Sequence, residues 1–175
     1  MATIANGVVQ TPVGGFQFTV HTLSNGARFD WIPEGEVGFA EVTGLDDVTE
    51  AHEYGEGNDL YSRMIPGRSK PFEITLSKGH DRNTRLIKWR NAVKERTALP
   101  QESIYAEVVV RMYNRQGAPG AAEVNHELIA EWRFRDAWPS ELHMGDLKKL
   151  DSEPNVLSVK LVGYGPPEQT FPALA

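Results

Sequence analysis

Residues Ile104–Met112 read Ile-Tyr-Ala-Glu-Val-Val-Val-Arg-Met, and Leu128–Arg135 read Leu-Ile-Ala-Glu-Trp-Arg-Phe-Arg. In the first stretch Ile104, Ala106, Val108, Val110 and Met112 fall on one face, with Tyr105, Glu107, Val109 and Arg111 on the other. In the second, Leu128, Ala130, Trp132 and Phe134 oppose Ile129, Glu131, Arg133 and Arg135. A period of two is the signature of a strand, because successive side chains leave opposite faces of its pleat. Tyr105, Val109 and Ile129 place apolar groups on the second face as well, which points to strands covered on both sides; the simpler alternative is that one helix covers them.

The same alternation recurs on either side of this pair. Phe16, Phe18 and Val20 alternate with Gln17, Thr19 and His21; Phe72, Ile74 and Leu76 alternate with Glu73, Thr75 and Ser77; Val156–Val162 forms a late strand. Shorter strands are expected over Val37–Thr43, ended by Gly44, and over Thr49–Tyr54, while Ser24-Asn25-Gly26 supplies a turn into a short return strand at Phe29–Ile32. Ala137-Trp138-Pro139 is expected to break the second stretch, since a prolyl nitrogen cannot donate to a ladder. Between Arg82 and Arg96, Leu86, Trp89 and Val93 recur at helical spacing with Ile87 and Ala92 beside them, and Asp81 is placed to cap this amphipathic helix. Residues 55–71, with three Gly and two Pro and no sustained period, read as a long loop with a task outside the subunit's own core.

Six to eight short strands and one helix in non-alternating order indicate a mainly β protein, an antiparallel sheet or small barrel with one packed helix, and exclude a doubly wound parallel sheet. The domain is expected over residues 16–164. Residues 1–15 read as an arm, disordered or ordered by a neighbour, and residues 165–175 as a tail.

Composition narrows the chemistry. The chain of 175 residues has no Cys, so disulfides, cysteine-based zinc sites, iron-sulfur clusters and thiol catalysis are excluded. A formal charge of -6 argues against a nucleic-acid-coating protein. No apolar run approaches the roughly 18 to 20 residues needed to cross a bilayer, so the chain reads as a soluble product of a reducing compartment. His21, His52, His80, His126 and His143 match no metal-ligand spacing; His126-Glu127 opens a zincin-like pattern whose second imidazole is replaced by Ala130. His143 and Asp146 fall in a polar loop and read as surface groups. Gly55-Glu56-Gly57 lacks the third Gly of a dinucleotide fingerprint and the Lys of a phosphate loop. No catalytic, cofactor or metal site is read, and the chain is not expected to be an enzyme.

Charge placement says more. From Phe29 through Leu60 there are ten acidic residues and no Lys or Arg, whereas Tyr61 through Arg96 holds ten basic and three acidic. The two blocks can neutralise each other within one domain, or set the acidic surface of one copy against the basic surface of the next. Open strand edges point toward self-association too, because they must be protected or paired.

These landmarks resemble the tail tube proteins of contractile-tailed bacteriophages and the inner-tube proteins of phage-tail-like contractile injection systems, with a similar architecture in the type VI secretion inner tube. The matching features are Val42-Thr43-Gly44-Leu45, Glu53-Tyr54, Glu56-Gly57-Asn58, Pro66-Gly67, Thr75-Leu76-Ser77-Lys78-Gly79, Trp89, Trp132-Arg133-Phe134 and Ala137-Trp138-Pro139, in order over Phe16 to Tyr164. The last core strand departs from the pattern, with Ser158, Val159 and Lys160 where relatives often carry an acid.

The resemblance implies a small antiparallel β-barrel of six to eight strands with one flanking helix, six copies forming a ring and rings stacking into a hollow tube inside a sheath. The tube would be driven outward by sheath contraction and deliver DNA or protein cargo without sequence-specific binding. Partners would be further copies of the chain, the sheath, the baseplate and the tail terminator; there would be no cofactor and no direct membrane anchor, and assembly would occur in the bacterial or host cytoplasm. Glu56, Asn58, Arg63 and Arg68 are the expected inter-subunit contacts. Gly44, Gly57, Gly67 and Gly79 are expected to serve backbone geometry, and Trp89, Trp132, Trp138 and Pro139 to act as structural anchors. The alternative is a baseplate-associated or tail-completion adaptor that closes one ring.

Overall fold

The computed structural model describes residues 3–5, 8–10, 17–23, 30–33, 38–58, 60–79, 84–95, 104–116, 125–145 and 156–172. In chain order its elements are β1 (Thr3–Ala5), β2 (Val8–Gln10), β3 (Gln17–Leu23), β4 (Glu41–Thr43), β5 (Thr49–Tyr54), β6 (Arg63–Ser69), β7 (Glu73–Gly79), α1 (Arg85–Glu95), β8 (Ala106–Gln116), β9 (Asn125–His143), β10 (Val156–Val162) and β11 (Glu168–Thr170). Every ladder is antiparallel.

The body is one sheet in the order β3-β8-β9-β10-β7-β4, with β11 paired to β9. Strand β9 belongs to both halves. Its residues up to Ala137 pair with β8, and from Trp138 to His143 it pairs with β10. Just before the change of partner Asp136 takes φ 50°, a left-handed conformation that Asp tolerates better than most residues, in a bulge that sets Ala137 opposite Ala106 and Phe134 opposite Val108, and the bulged strand bends there. A strand that changes partners at a bend is how one sheet folds over on itself to enclose a core. The first half-sheet is thus β3-β8-β9-β11 and the second β9-β10-β7-β4.

Their facing surfaces share one core. Val20, Val108, Val110 and Phe134 from the first half meet Ile74, Leu76, Leu157, Val159 and Leu161 from the second, with Leu86 and Trp89 of α1 in the same cluster. Phe72 and Phe134 meet edge to face with centroids 4.9 Å apart. Among the described residues no ladder joins β3 to β4. The outer edge of β3 is taken instead by the segment at 30–33, where the Thr22 amide donates to the Ile32 carbonyl at 2.8 Å and the Ile32 amide donates to Thr22 Oγ1 at 3.0 Å.

The mainly β, antiparallel architecture with one helix is the one expected, with local corrections. Pro139 does not end its strand: β9 runs through it, and a bulge sets Glu141 opposite Lys160 and Pro139 opposite Leu161. Beyond Ala137 the strand has β10 as its single ladder neighbour among the described residues, and a proline is tolerated in such an edge segment next to a bulge. His143 accordingly ends this strand rather than lying in a loop; Asp146 falls outside the described residues. The fourth strand starts at Glu41, and the Asp30–Ile32 part of the expected return strand is a bonded but irregular segment. Within the arm, β1 and β2 pair with each other. Asp81, the Ser24-Asn25-Gly26 turn and the ends of the expected helix lie outside the described residues.

Candidate functional site

The region read as a long loop is instead the second arm of a hairpin. Strand β6 pairs with β5 in the register Tyr54–Arg63, Glu53–Met64, His52–Ile65 and Ala51–Pro66. Strand β5 lies where a strand was expected, although all six of its residues are exposed, but β6 did not show: all of it but half-buried Gly67 is exposed, and with neither face packed there is no alternation to read. Pro66 and Gly67 also mimic loop composition.

A bulge lies near the base. Thr49 faces Ser69 but Ala51 faces Pro66, so Glu50 stands opposite both Gly67 and Arg68. A Cβ at Gly67 would lie 2.5 Å from His52 Nε2, so a side chain there would turn the exposed imidazole away from its place across the bulge. The hairpin is tied at its foot by the Lys70 amide donating to the Val48 carbonyl at 2.8 Å, by Thr49 and Ser69 hydroxyls 3.2 Å apart, and by Lys70 Nζ 3.9 Å from Glu50 Oε1. Here the acidic block of the sequence folds beside the start of the basic block, so part of the charge division closes within the hairpin.

The structure brings the four expected contact residues onto this one element. Glu56 and Asn58 lie in the turn, Glu56 accepting from the Tyr54 hydroxyl at 3.3 Å; Arg63 opens β6 and Arg68 lies in the bulge. Arg63 and Arg68 are five residues apart on a strand, about 17 Å, so the four do not form one compact cluster. Sequence reasoning missed the apolar groups between them. Leu60 is 93% exposed, Tyr61 85% and Met64 68%, with Tyr54, Ile65 and Val48 about half exposed. An isolated two-stranded hairpin is marginal in water, and apolar side chains clustered on a projecting element mark a surface that another molecule covers. The signal for them was available: four large apolar residues in a segment with no packed face.

The other expected anchors are distributed through the body. Trp89 is fully buried and its Nε1 donates to the Ile104 carbonyl at 2.7 Å. Trp132 is half-buried and meets Phe171 edge to face at 6.3 Å; Trp138 is half-buried and Pro139 buried. Gly44 ends β4 at φ 84°, whereas Gly57 and Gly79 have open space where a Cβ would stand.

On the first half-sheet, away from the core, Glu131 is gripped from both sides. Arg111 Nε donates to its Oε2 at 2.7 Å and Arg133 Nε to its Oε1 at 2.6 Å, with Arg133 also 3.9 Å from Glu107. Burial works to raise the Glu131 carboxyl, but the two guanidinium hydrogen bonds outweigh it and hold it below the ordinary carboxylate range. Those same bonds raise both arginines. Such a fully paired cluster has structural character. Among the described residues no group of three or more His, Asp or Glu is arranged to hold a metal, and no helix is long and apolar enough to cross a membrane.

The family model for the T4-like virus tail tube protein gp19 matches residues 15–164. No curated protein matches the chain. Among solved structures it is similar to a chain of the sheath–tube complex of PVC, an extracellular contractile injection system, in its extended state, at 20% identity and TM-score 0.67 over 93% of this chain and 94% of that one. It is also similar to a chain of the anti-feeding prophage tube-terminating cap, at 20% identity and TM-score 0.68 over 94% of each. A chain of the anti-feeding prophage baseplate matches at 18% identity and TM-score 0.73, over 93% of this chain and 98% of that one.

Proposed function

The chain belongs to the T4-like virus tail tube protein family, and from that premise we propose that it is the repeating subunit of the inner tube of a contractile tail or injection system. It is a structural component, and its work is mechanical. Six copies close a ring, rings stack into a hollow conduit, and sheath contraction drives the conduit outward to deliver DNA or protein cargo. Partners are other copies of the chain, the sheath, the baseplate and the tail terminator.

The observation that carries this reading is the bare hairpin of β5 and β6. A subunit that worked alone would gain nothing from projecting Leu60, Tyr61 and Met64 into water, whereas burying each such side chain in a contact contributes about 1.5–3 kcal/mol. Glu56, Asn58, Arg63 and Arg68 stand among these groups and supply the polar contacts that fix orientation.

Negative-stain electron microscopy of the purified protein over a concentration series, with mass from light scattering, tests the proposal. Hexameric rings and hollow tubes are expected. Closed rings that never stack support the adaptor reading instead, and a monomer at every concentration, also in the presence of a baseplate initiator, overturns both.

A further inference from the structure

The chain has four Met and no Cys, so thioethers carry all of its sulfur. A peroxide that meets this protein finds no thiol, and the most exposed thioether becomes its first target. Among the described residues that thioether is Met64 of β6, 68% exposed; Met144, just past the end of β9, is 44% exposed, and Met112 of β8 is half-buried. Residues opposite each other in a ladder share a face, so the hairpin register sets Ala51, Glu53, Met64 and Pro66 on one side and His52, Tyr54, Arg63 and Ile65 on the other. Tyr54 and Ile65 share the apolar contact of the second side, whereas Met64 is the one long apolar side chain of the first. We infer that Met64 is an oxidation site that controls assembly: as the thioether it supplies the contact of its face, and as the sulfoxide it keeps the subunit out of the tube. The inference rests on the tube reading above and adds to it a chemical control acting through the same hairpin.

The step is an oxygen transfer from a hydroperoxide. A lone pair of the Met64 sulfur attacks the outer peroxide oxygen, and the S–O bond forms as the O–O bond breaks. The proton on the transferred oxygen passes through solvent to the departing one, which leaves as water or an alcohol; sulfur is oxidised by two electrons and the peroxide reduced by two. The product keeps the length of the side chain but ends it in a strongly polar acceptor. In the free subunit water satisfies that oxygen, so folding is untouched. A copy that covers the face strips this water away, and the hairpin offers no donor in its place: Glu53, directly opposite, carries a carboxylate that only accepts, and the side chains of Ala51 and Pro66 have nothing to donate. Association is therefore weakened selectively. Dithiol reductases, one for each sulfoxide epimer, return the thioether and with it the competent subunit. Once the contact has closed, the same burial shields the sulfur.

Free subunit is treated with dilute hydrogen peroxide, and three quantities are followed: oxygen uptake at each Met by peptide mass spectrometry, the urea midpoint, and the concentration at which light scattering first detects assembly. Met64 is expected to take up oxygen ahead of Met112 and Met144 while the urea midpoint stays in place. The assembly concentration is expected to rise about tenfold or more, as desolvating one unpartnered polar group requires. Methionine sulfoxide reductases A and B with dithiothreitol are expected to restore the parent value, and tubes assembled before exposure to keep Met64 reduced. Met64→Leu retains the apolar bulk and is expected to assemble with or without peroxide; the Met112→Leu, Met144→Leu double variant, with Met64 intact, is expected to lose assembly on oxidation as the parent does. Unchanged assembly of subunits oxidised at Met64 overturns the inference. So does a peroxide effect that persists in Met64→Leu, or equal oxidation of Met64 in tubes and in free subunits. If leucine at this position itself hinders assembly, reductase rescue and the double variant decide the matter on the native thioether. Failure of the untreated parent to form tubes is seen by electron microscopy before any peroxide is added, and removes the tube reading and this inference with it.

Discussion

The indole of Trp89 lies parallel to that of Trp31, ring centroids 5.9 Å apart and planes 4° from parallel, while its Nε1 donates to the Ile104 carbonyl at 2.7 Å. One helical side chain therefore joins three segments distant in sequence: the strap at 30–33, α1 and the entry to β8. Trp89→Phe keeps a ring in the core but removes the donor, leaving a buried carbonyl unpaired, which costs about 1–3 kcal/mol. Urea unfolding followed by far-UV circular dichroism is expected to show a midpoint well below that of Trp138→Phe, whose parent residue is only half-buried. Equal midpoints for the two variants would refute the role given to Trp89.

The pairing of Glu131 with Arg111 and Arg133 makes stability depend on acid. Its folded-state carboxyl is lowered, so the stabilisation is fully present above the unfolded value, about pH 4.3, and is lost as pH falls through the depressed folded value. Glu131→Gln removes the charge and leaves two guanidinium groups facing each other's field. Because Arg133 is partly exposed, the expected loss at neutral pH is about 2–4 kcal/mol, below the top of the range for breaking a buried pair. Unfolding midpoints measured from pH 7 down to pH 3 are expected to converge for parent and variant at the acid end; a gap that stays constant with pH would contradict the assignment.

Gly44 closes β4 at φ 84°, and a Cβ built there would stand 2.1 Å from the Glu73 carbonyl oxygen. Alanine must strain the backbone and push β4 from β7, at a cost of about 1–3 kcal/mol or more. With about 2–4 °C per kcal/mol for a domain of this size, Gly44→Ala is expected to lower Tm by several degrees. Gly55→Ala, where no atom lies within 4 Å of the added carbon, is the matched control and is expected to leave Tm unchanged.

What the sequence discloses follows from what each strand packs against. Strands β7, β8 and β10, and β3 in its central part, have one face in the core, so Ile74, Leu76, Val108, Val110, Leu157 and Val159 print a period of two directly into the chain. Helix α1 is legible for the same reason through Leu86 and Trp89. Strand β6 is not, because neither of its faces is packed. The continuation of β9 through Pro139 is hidden as well, since it depends on β9 leaving β8 at Ala137, a fact of the whole sheet. The Arg111–Glu131 pair needs cross-strand register, which no local pattern carries. At the candidate site the polar residues were identified by position in a suspected loop, but the apolar groups that give the hairpin its surface became visible only with its strands.

The hairpin yields the sharpest separation between folding and assembly. Leu60 and Tyr61 are 93% and 85% exposed, so replacing both with Asp removes almost no packing in the isolated subunit, and surface changes of this kind stay within about 0.5 kcal/mol. If another copy covers them, the same substitution buries two unpaired carboxylates in a contact, where desolvation is costly. The Leu60→Asp, Tyr61→Asp double variant is therefore expected to unfold at the parent's urea midpoint while light scattering shows no species larger than the subunit at concentrations where the parent assembles. Assembly at the parent's concentration dependence would mean that the turn of the hairpin stays in water in the assembled state, and the contact would then have to be sought along the β5 and β6 strands, at Met64 and Ile65.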